Sequence, residues 1–165
     1  MQLSEVTIRP IKPGEVVQME DFLYLAVYQP EPRKIPKEEI LQRPDIAVYI
    51  RDWGRHDDYC LVAESGNQII GVAWARLFSA DAKGFGYIDP HTPELSIALR
   101  KGYRGMGIGK MLINALHTLL AEKGFAQVSL SVHIHNPAYR FYQSLGYKTK
   151  KETSHDYVMA LLFRS

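Results

Sequence analysis

The sequence predicts one domain over residues 1–165, of the α/β (α+β) class, with a mixed central sheet carrying helices on both faces. Three observations predict it. Strand-like runs at 59–64 and 68–78 flank Ser65-Gly66-Asn67, the mark of an antiparallel hairpin. Residues 94–134 read strand, glycine turn, helix, strand, a crossover that returns the chain to the same sheet. A length of 165 residues with 46% hydrophobic content suits a single packed core. The expected element order is β-α-α-β-β-β-α-β-α-β-β.

Each element has its own signal. Val6-Thr7-Ile8-Arg9 alternates like a strand and stops at Pro10, and Pro13-Gly14 marks a turn. From Glu15, the spacing of Val16, Met19, Phe22, Leu23, Ala26 and Val27 predicts a helix that ends before Pro30, with a loop over 29–32. Pro36 with Glu38 and Glu39 behind it predicts a helix start. Pro44 interrupts that helix, which is expected to resume over 45–53 and to stop at Gly54. After the hairpin, 79–93 reads as a long loop whose Tyr87, Asp89 and His91 suit a cover over a binding site. Residues 94–99 have strand character. Ile108, Met111, Leu112, Ala115, Leu116, Leu119 and Leu120 then form one apolar helix face, closed by Gly124. A strand over 127–134, a helix over 138–145 closed by Gly146, and strands over 147–151 and 157–163 complete the chain.

Composition excludes several classes. Twenty basic and 18 acidic side chains give a net charge of +2, too balanced to favour a nucleic-acid partner. The single cysteine, Cys60, forms no internal disulfide, suits a reducing cytoplasm, and reads as a buried inert thiol in its apolar run. Met1-Gln2-Leu3-Ser4-Glu5 carries no signal-peptide pattern and no run reaches membrane-spanning length, so the expected location is the cytoplasm and no membrane partner is expected. His91, His133 and His135 have no second ligand at helix metal spacing, and no metal is expected.

The centre of the chain carries the chemistry. A strand that passes through a glycine turn into a helix start gathers unpaired N–H groups and the positive end of the helix dipole, which makes an anion site. Lys110 is followed by Met111 rather than Ser or Thr, against a P-loop, and Gly105-x-Gly107-x-Gly109 lacks the G-x-G-x-x-G spacing of dinucleotide folds. Arg104-x-x-Gly107-x-Gly109 instead resembles the pyrophosphate-binding segment of the GNAT superfamily, the acyl-CoA-dependent N-acyltransferases. Asn136-Pro137-Ala138-Tyr139-Arg140-Phe141-Tyr142-Gln143-Ser144-Leu145-Gly146-Tyr147 is similar to a second family segment, with one residue fewer between Asn136 and Tyr142 than the commoner form. The element order resembles the GNAT fold along essentially the whole chain.

The resemblance implies an acetyl-CoA-dependent N-acetyltransferase that moves the acetyl group to a primary amine by direct attack in a ternary complex. In that reading the backbone of Ile97 and Leu99 binds the pantetheine arm, with the Leu99 N–H facing the thioester oxygen. Arg104, Gly105, Met106, Gly107, Ile108, Gly109 and Lys110 take the pyrophosphate. Asn136 bonds the pantetheine arm, or serves only as the cap of the following helix. Tyr142 protonates the leaving thiolate, or packs its helix on the sheet as Tyr139 and Phe141 do. Glu94 stands where several family members carry a general base, or is a solvated strand end; His133, His135 and His91 with Asp89 are the other candidates. Arg104 and Lys110 also fit solvated cations, and Arg100 and Lys101 meet either the 3′-phosphate or only water. The amine site is expected between the first helices and the long loop, among Tyr24, Tyr28, Tyr49, Asp52, Trp53, Asp57, Asp58 and Tyr87. The alternative function is a non-catalytic acyl-CoA-binding sensor or interaction domain of the same fold, and apolar stripes permit a homodimer.

Overall fold

In a computed structural model the chain is described at residues 2–30 and 34–164; Met1, and the Glu31 and Pro32 of the expected 29–32 loop, lie outside the described residues. Seven strands form one sheet: β1 (Thr7–Pro10), β2 (Tyr59–Ser65), β3 (Gln68–Arg76), β4 (Glu94–Leu99), β5 (Gln127–His133), β6 (Lys148–Glu152) and β7 (Asp156–Leu162). Their order is β1-β2-β3-β4-β5-β7-β6. The β4–β5 pair is parallel and every other pair antiparallel. The β2–β3 hairpin turns on Gly66 and Asn67, both at positive φ (57° and 62°), the conformation a tight two-residue turn requires.

The crossover from β4 to β5 is α4 (Ile108–Glu122), whose Ile108, Leu112, Ile113, Leu116 and Leu120 are fully buried against one sheet face. That face also packs α5 (Ala138–Ser144). The opposite face is covered by α1 (Met19–Ala26), α2 (Lys37–Leu41) and α3 (Pro44–Ala47), with Phe22, Ile40, Ile46, Val72 and Trp74 in its core. Helices therefore lie on both faces of a mixed sheet, as the sequence predicts.

Three boundaries differ from expectation by two residues or more. The segment 13–18 forms a 3-10 turn, so α1 starts at Met19 and not at Glu15. The helix expected over 45–53 stops at Ala47, and the chain reverses through Asp52 at φ 54° and Gly54 at φ 118°. Strand β3 ends at Arg76, two residues early, where its partners run out: Arg76 lies opposite Glu94, the first residue of β4, and Ala75 opposite Tyr59, the first of β2. The Arg76 side chain is buried in an ion pair. Its Nε and Nη2 donate to Asp58 at 2.9 and 2.7 Å, and its Nη1 donates to the carbonyls of Val48 and Arg51. Among the described residues no helix is long and apolar enough to cross a membrane.

Candidate active site

Along β4 the two edges differ. The Arg100 N–H donates to the Ile70 carbonyl at 2.8 Å, and antiparallel alternation from that pair turns the backbone groups of Ala98 and Ser96 toward β3. The N–H and C=O groups of Ile97 and Leu99 therefore point the other way, toward β5. There the two strands share one bridge, Glu94 to Ser129, and beyond it they part. A row of unpaired backbone groups in a widening gap is what an extended ligand pairs with.

The open edge leads onto the start of α4. Gly107 is the N-cap at φ 89°, without a side-chain cap, and no acid lies in the first turn. The N–H groups of Ile108, Gly109 and Lys110 begin the helix and have no intrahelical acceptor. Gly105 sits at φ 75° with open space where a Cβ would lie. Arg104, Lys101 and Lys110 are exposed around this turn, and Met106 packs its side chain onto the core below. Arg100 does not join them: its Nε donates to the Ile69 carbonyl at 2.9 Å and its guanidinium lies 4.7 Å from the Phe22 ring centroid. The geometry suits a diphosphate, with the helix dipole and three cations supplying the charge.

Two residues of the segment after β5 were also expected at this gap. Asn136 Oδ1 accepts the Ala138 N–H at 2.9 Å, so this side chain does cap α5, and its amide N–H groups remain for a ligand. The Tyr142 hydroxyl has no hydrogen-bond partner among the described residues, and burial pushes its pKa up to about 12. Its ring packs edge-on against Tyr147, whose hydroxyl is fixed 2.6 Å from His117 Nε2.

Glu94 is not a solvated strand end. It is 2% exposed, and its Oε2 accepts the Tyr49 hydroxyl. Tyr49 Oη in turn accepts the Phe85 N–H at 2.7 Å, which ties the loop 77–93 down over the carboxylate. Gly84 makes the closure possible: a Cβ there would lie 2.2 Å from Glu94 Oε1. Gly86 rests on β5, where a Cβ would lie 2.6 Å from the Leu130 carbonyl carbon. Burial raises the Glu94 pKa to about 7, against the pull of the Tyr49 hydroxyl and the nearby Gly86 N–H, with Asp156 adding repulsion. Arg76, its cross-strand neighbour, is committed to Asp58 and leaves Glu94 without a cation.

The other expected residues separate. His91 and Asp89 border a cavity of about 480 Å³ with Asp57 and Phe125, beside Gly124. That cavity lies at the far end of α4, roughly 22 Å along the helix from its start, so these residues do not reach the gap. His133 stacks on Tyr28 at 4.9 Å, and its Nδ1 accepts the His135 N–H at 3.1 Å, at the open end of β5. Of the expected amine-site residues, Asp58 is spent on Arg76, the Arg76 guanidinium lies over Trp53, and Tyr24 donates to the Ile35 carbonyl. Tyr49 borders the buried carboxylate and Tyr28 the end of β5. Sequence reasoning missed Ser129 and Ser131, although the alternation Val128-Ser129-Leu130-Ser131-Val132-His133 marks one polar face of β5.

Comparison with known proteins agrees with this architecture. Residues 21–147 match the profile of the acetyltransferase (GNAT) family. The chain belongs to that family. A Bacillus subtilis (strain 168) protein described provisionally as an acetyltransferase is 38% identical over 63 residues, covering 38% of this chain and 42% of that protein. The mycothiol acetyltransferase of Corynebacterium aurimucosum is 31% identical over 91 residues, 54% of this chain and 28% of that protein. In both, the match spans less than half of the relative. The Thermoplasma acidophilum PaiA N-acetyltransferase structure, solved with coenzyme A, superposes with a TM-score of 0.67 at 20% identity, covering 96% of this chain and 99% of that one. That likeness shows the fold.

Proposed function

We propose that this chain moves an acetyl group from acetyl-CoA to a primary amine, by direct attack within a ternary complex. The observation that carries the proposal is the unpaired edge of β4 at Ile97 and Leu99 running onto the Gly107-capped start of α4. Family membership and the coenzyme A held by the Thermoplasma structure support the donor.

In this reading the Ile97 and Leu99 backbone groups pair with the pantetheine arm, and the Leu99 N–H donates to the thioester oxygen. The N–H groups of the 104–110 turn hold the pyrophosphate, with Arg104 and Lys110 alongside, and the Asn136 amide bonds the arm from the other strand. Glu94, five residues and roughly 16 Å back along β4 from Leu99, takes through intervening water the proton that the amine gives up, and Tyr142 supplies one to the departing sulfur, so the two transfers balance. At about 12 the phenol is a weaker acid than a thiol, so its proton is given only as charge develops on the sulfur hydrogen-bonded to it, within the bond-breaking step. No acyl-enzyme is invoked: Cys60, the single cysteine, is buried on β2, where burial pushes its thiol up and away from reactivity.

The test is release of free thiol from acetyl-CoA against a panel of amines: polyamines, amino acids, aminoglycosides, peptide N-termini and lysine peptides. Release with one class names the acceptor and supports the transferase. Binding of acetyl-CoA with no release from any amine overturns it in favour of an acyl-CoA-binding domain.

A further inference from the structure

The polar face of β5 holds a second group that the acetyl-transfer reading leaves unused. Ser129 is 0% exposed, and its Oγ has no hydrogen-bond partner among the described residues. Glu94 Oε1 is in the same condition. These two residues are the partners of the one β4–β5 bridge, so their side chains leave the sheet on the same face, one strand spacing apart. A buried polar atom without a partner is costly, and two of them side by side are the setting in which proteins keep an internal water.

We propose that Ser129 is a positioning residue for Glu94, the two side chains together holding one water molecule through Ser129 Oγ and Glu94 Oε1. The remaining surroundings leave this task to Ser129. The Tyr49 hydroxyl engages Oε2 and faces the Ser131 hydroxyl, the Gly86 N–H draws on the carboxylate without bonding Oε1, Gly84 presents no side chain, Arg76 is turned to Asp58, and Asp156 on β7 repels the carboxylate. The water supplies the hydrogen bond that Oε1 lacks and favours the ionised carboxylate. The inference rests on the reading of Glu94 as the base, and its test is independent of any acceptor.

The first arm is a high-resolution crystal structure of the full chain. The expected result is ordered density within hydrogen-bond distance of both atoms; a Ser129 hydroxyl bonded to a strand carbonyl, with no such density, overturns the proposal. The second arm is an infrared titration of the carboxyl C=O stretch, with the Glu94 band identified by its loss in Glu94→Gln. Ser129→Ala is expected to raise the midpoint by about one pH unit, the size of one lost hydrogen bond to a charged group, and Ser129→Thr to restore it. A midpoint unmoved in Ser129→Ala, or a fall in melting temperature with no shift, overturns it. Glu94→Gln with undiminished thiol release would remove the base reading alone and leave the midpoint of the Glu94 band to decide the water.

Discussion

Glu94 shows how burial, rather than sequence position, sets the character of a side chain. Its pKa rises from the ordinary 4.5 to about 7, so folding favours the neutral acid. The associated stability is complete below about pH 4.5 and is lost as the pH rises through about 7. Glu94→Gln, which stays neutral, is expected to become the more stable form above that window, by on the order of 3 kcal/mol. Chemical denaturation of both proteins at pH 5 and pH 8 checks this, and parallel pH profiles would contradict it. Tyr142 acts through its proton alone in the proposed reaction. Tyr142→Phe is expected to lower kcat about 100-fold with unchanged acetyl-CoA affinity. A kcat near that of the unaltered protein would return Tyr142 to a packing role.

At the scale of elements, the loop 77–93 and strand β4 act together. Gly84 allows the loop to rest on the carboxylate, and Gly84→Ala would drive a Cβ to 2.2 Å from Oε1. The loop must lift, at a cost of about 1–3 kcal/mol. A melting temperature several degrees lower is expected, with acetyl-CoA affinity kept because the Ile97 and Leu99 edge and the α4 start are untouched. Unchanged stability would mean that the loop is not held there. The sequence makes β4 and α4 plain because each has a strong period and a glycine at the right end. The arrangement after α3 was not legible. Tyr49 continues the apolar pattern that suggests a helix to Gly54, yet its ring is buried by leaving the helix, and its hydroxyl meets Glu94 some 45 residues later in the chain. Such long-range polar contacts leave no local period. The same holds for Asp58, which reads as a loop charge and is paired with Arg76 at the end of a strand.

Across the whole molecule, the sheet divides the work between its faces. The face under α4 and α5 is apolar, with Val128, Leu130, Val132 and Met159 in its core. On the other face, α1, α2 and α3 cover an apolar region around Trp74, while Glu94, Ser129 and Ser131 form a polar strip where β4 and β5 part. The gap thus joins an open backbone edge and a glycine turn at a helix start to a buried acid, and the fold itself brings these three together. The run 94–99 and the glycine motif made β4 and the turn into α4 readable, whereas the polar strip required the strand register. A calorimetric titration of acetyl-CoA into the full chain and into Gly107→Val tests this most directly. The account predicts one site per chain in the unaltered protein, and affinity lowered at least tenfold in Gly107→Val, whose side chain would be forced to φ 89° at the helix start. Absence of binding to the unaltered protein, or equal affinity in both, would contradict it.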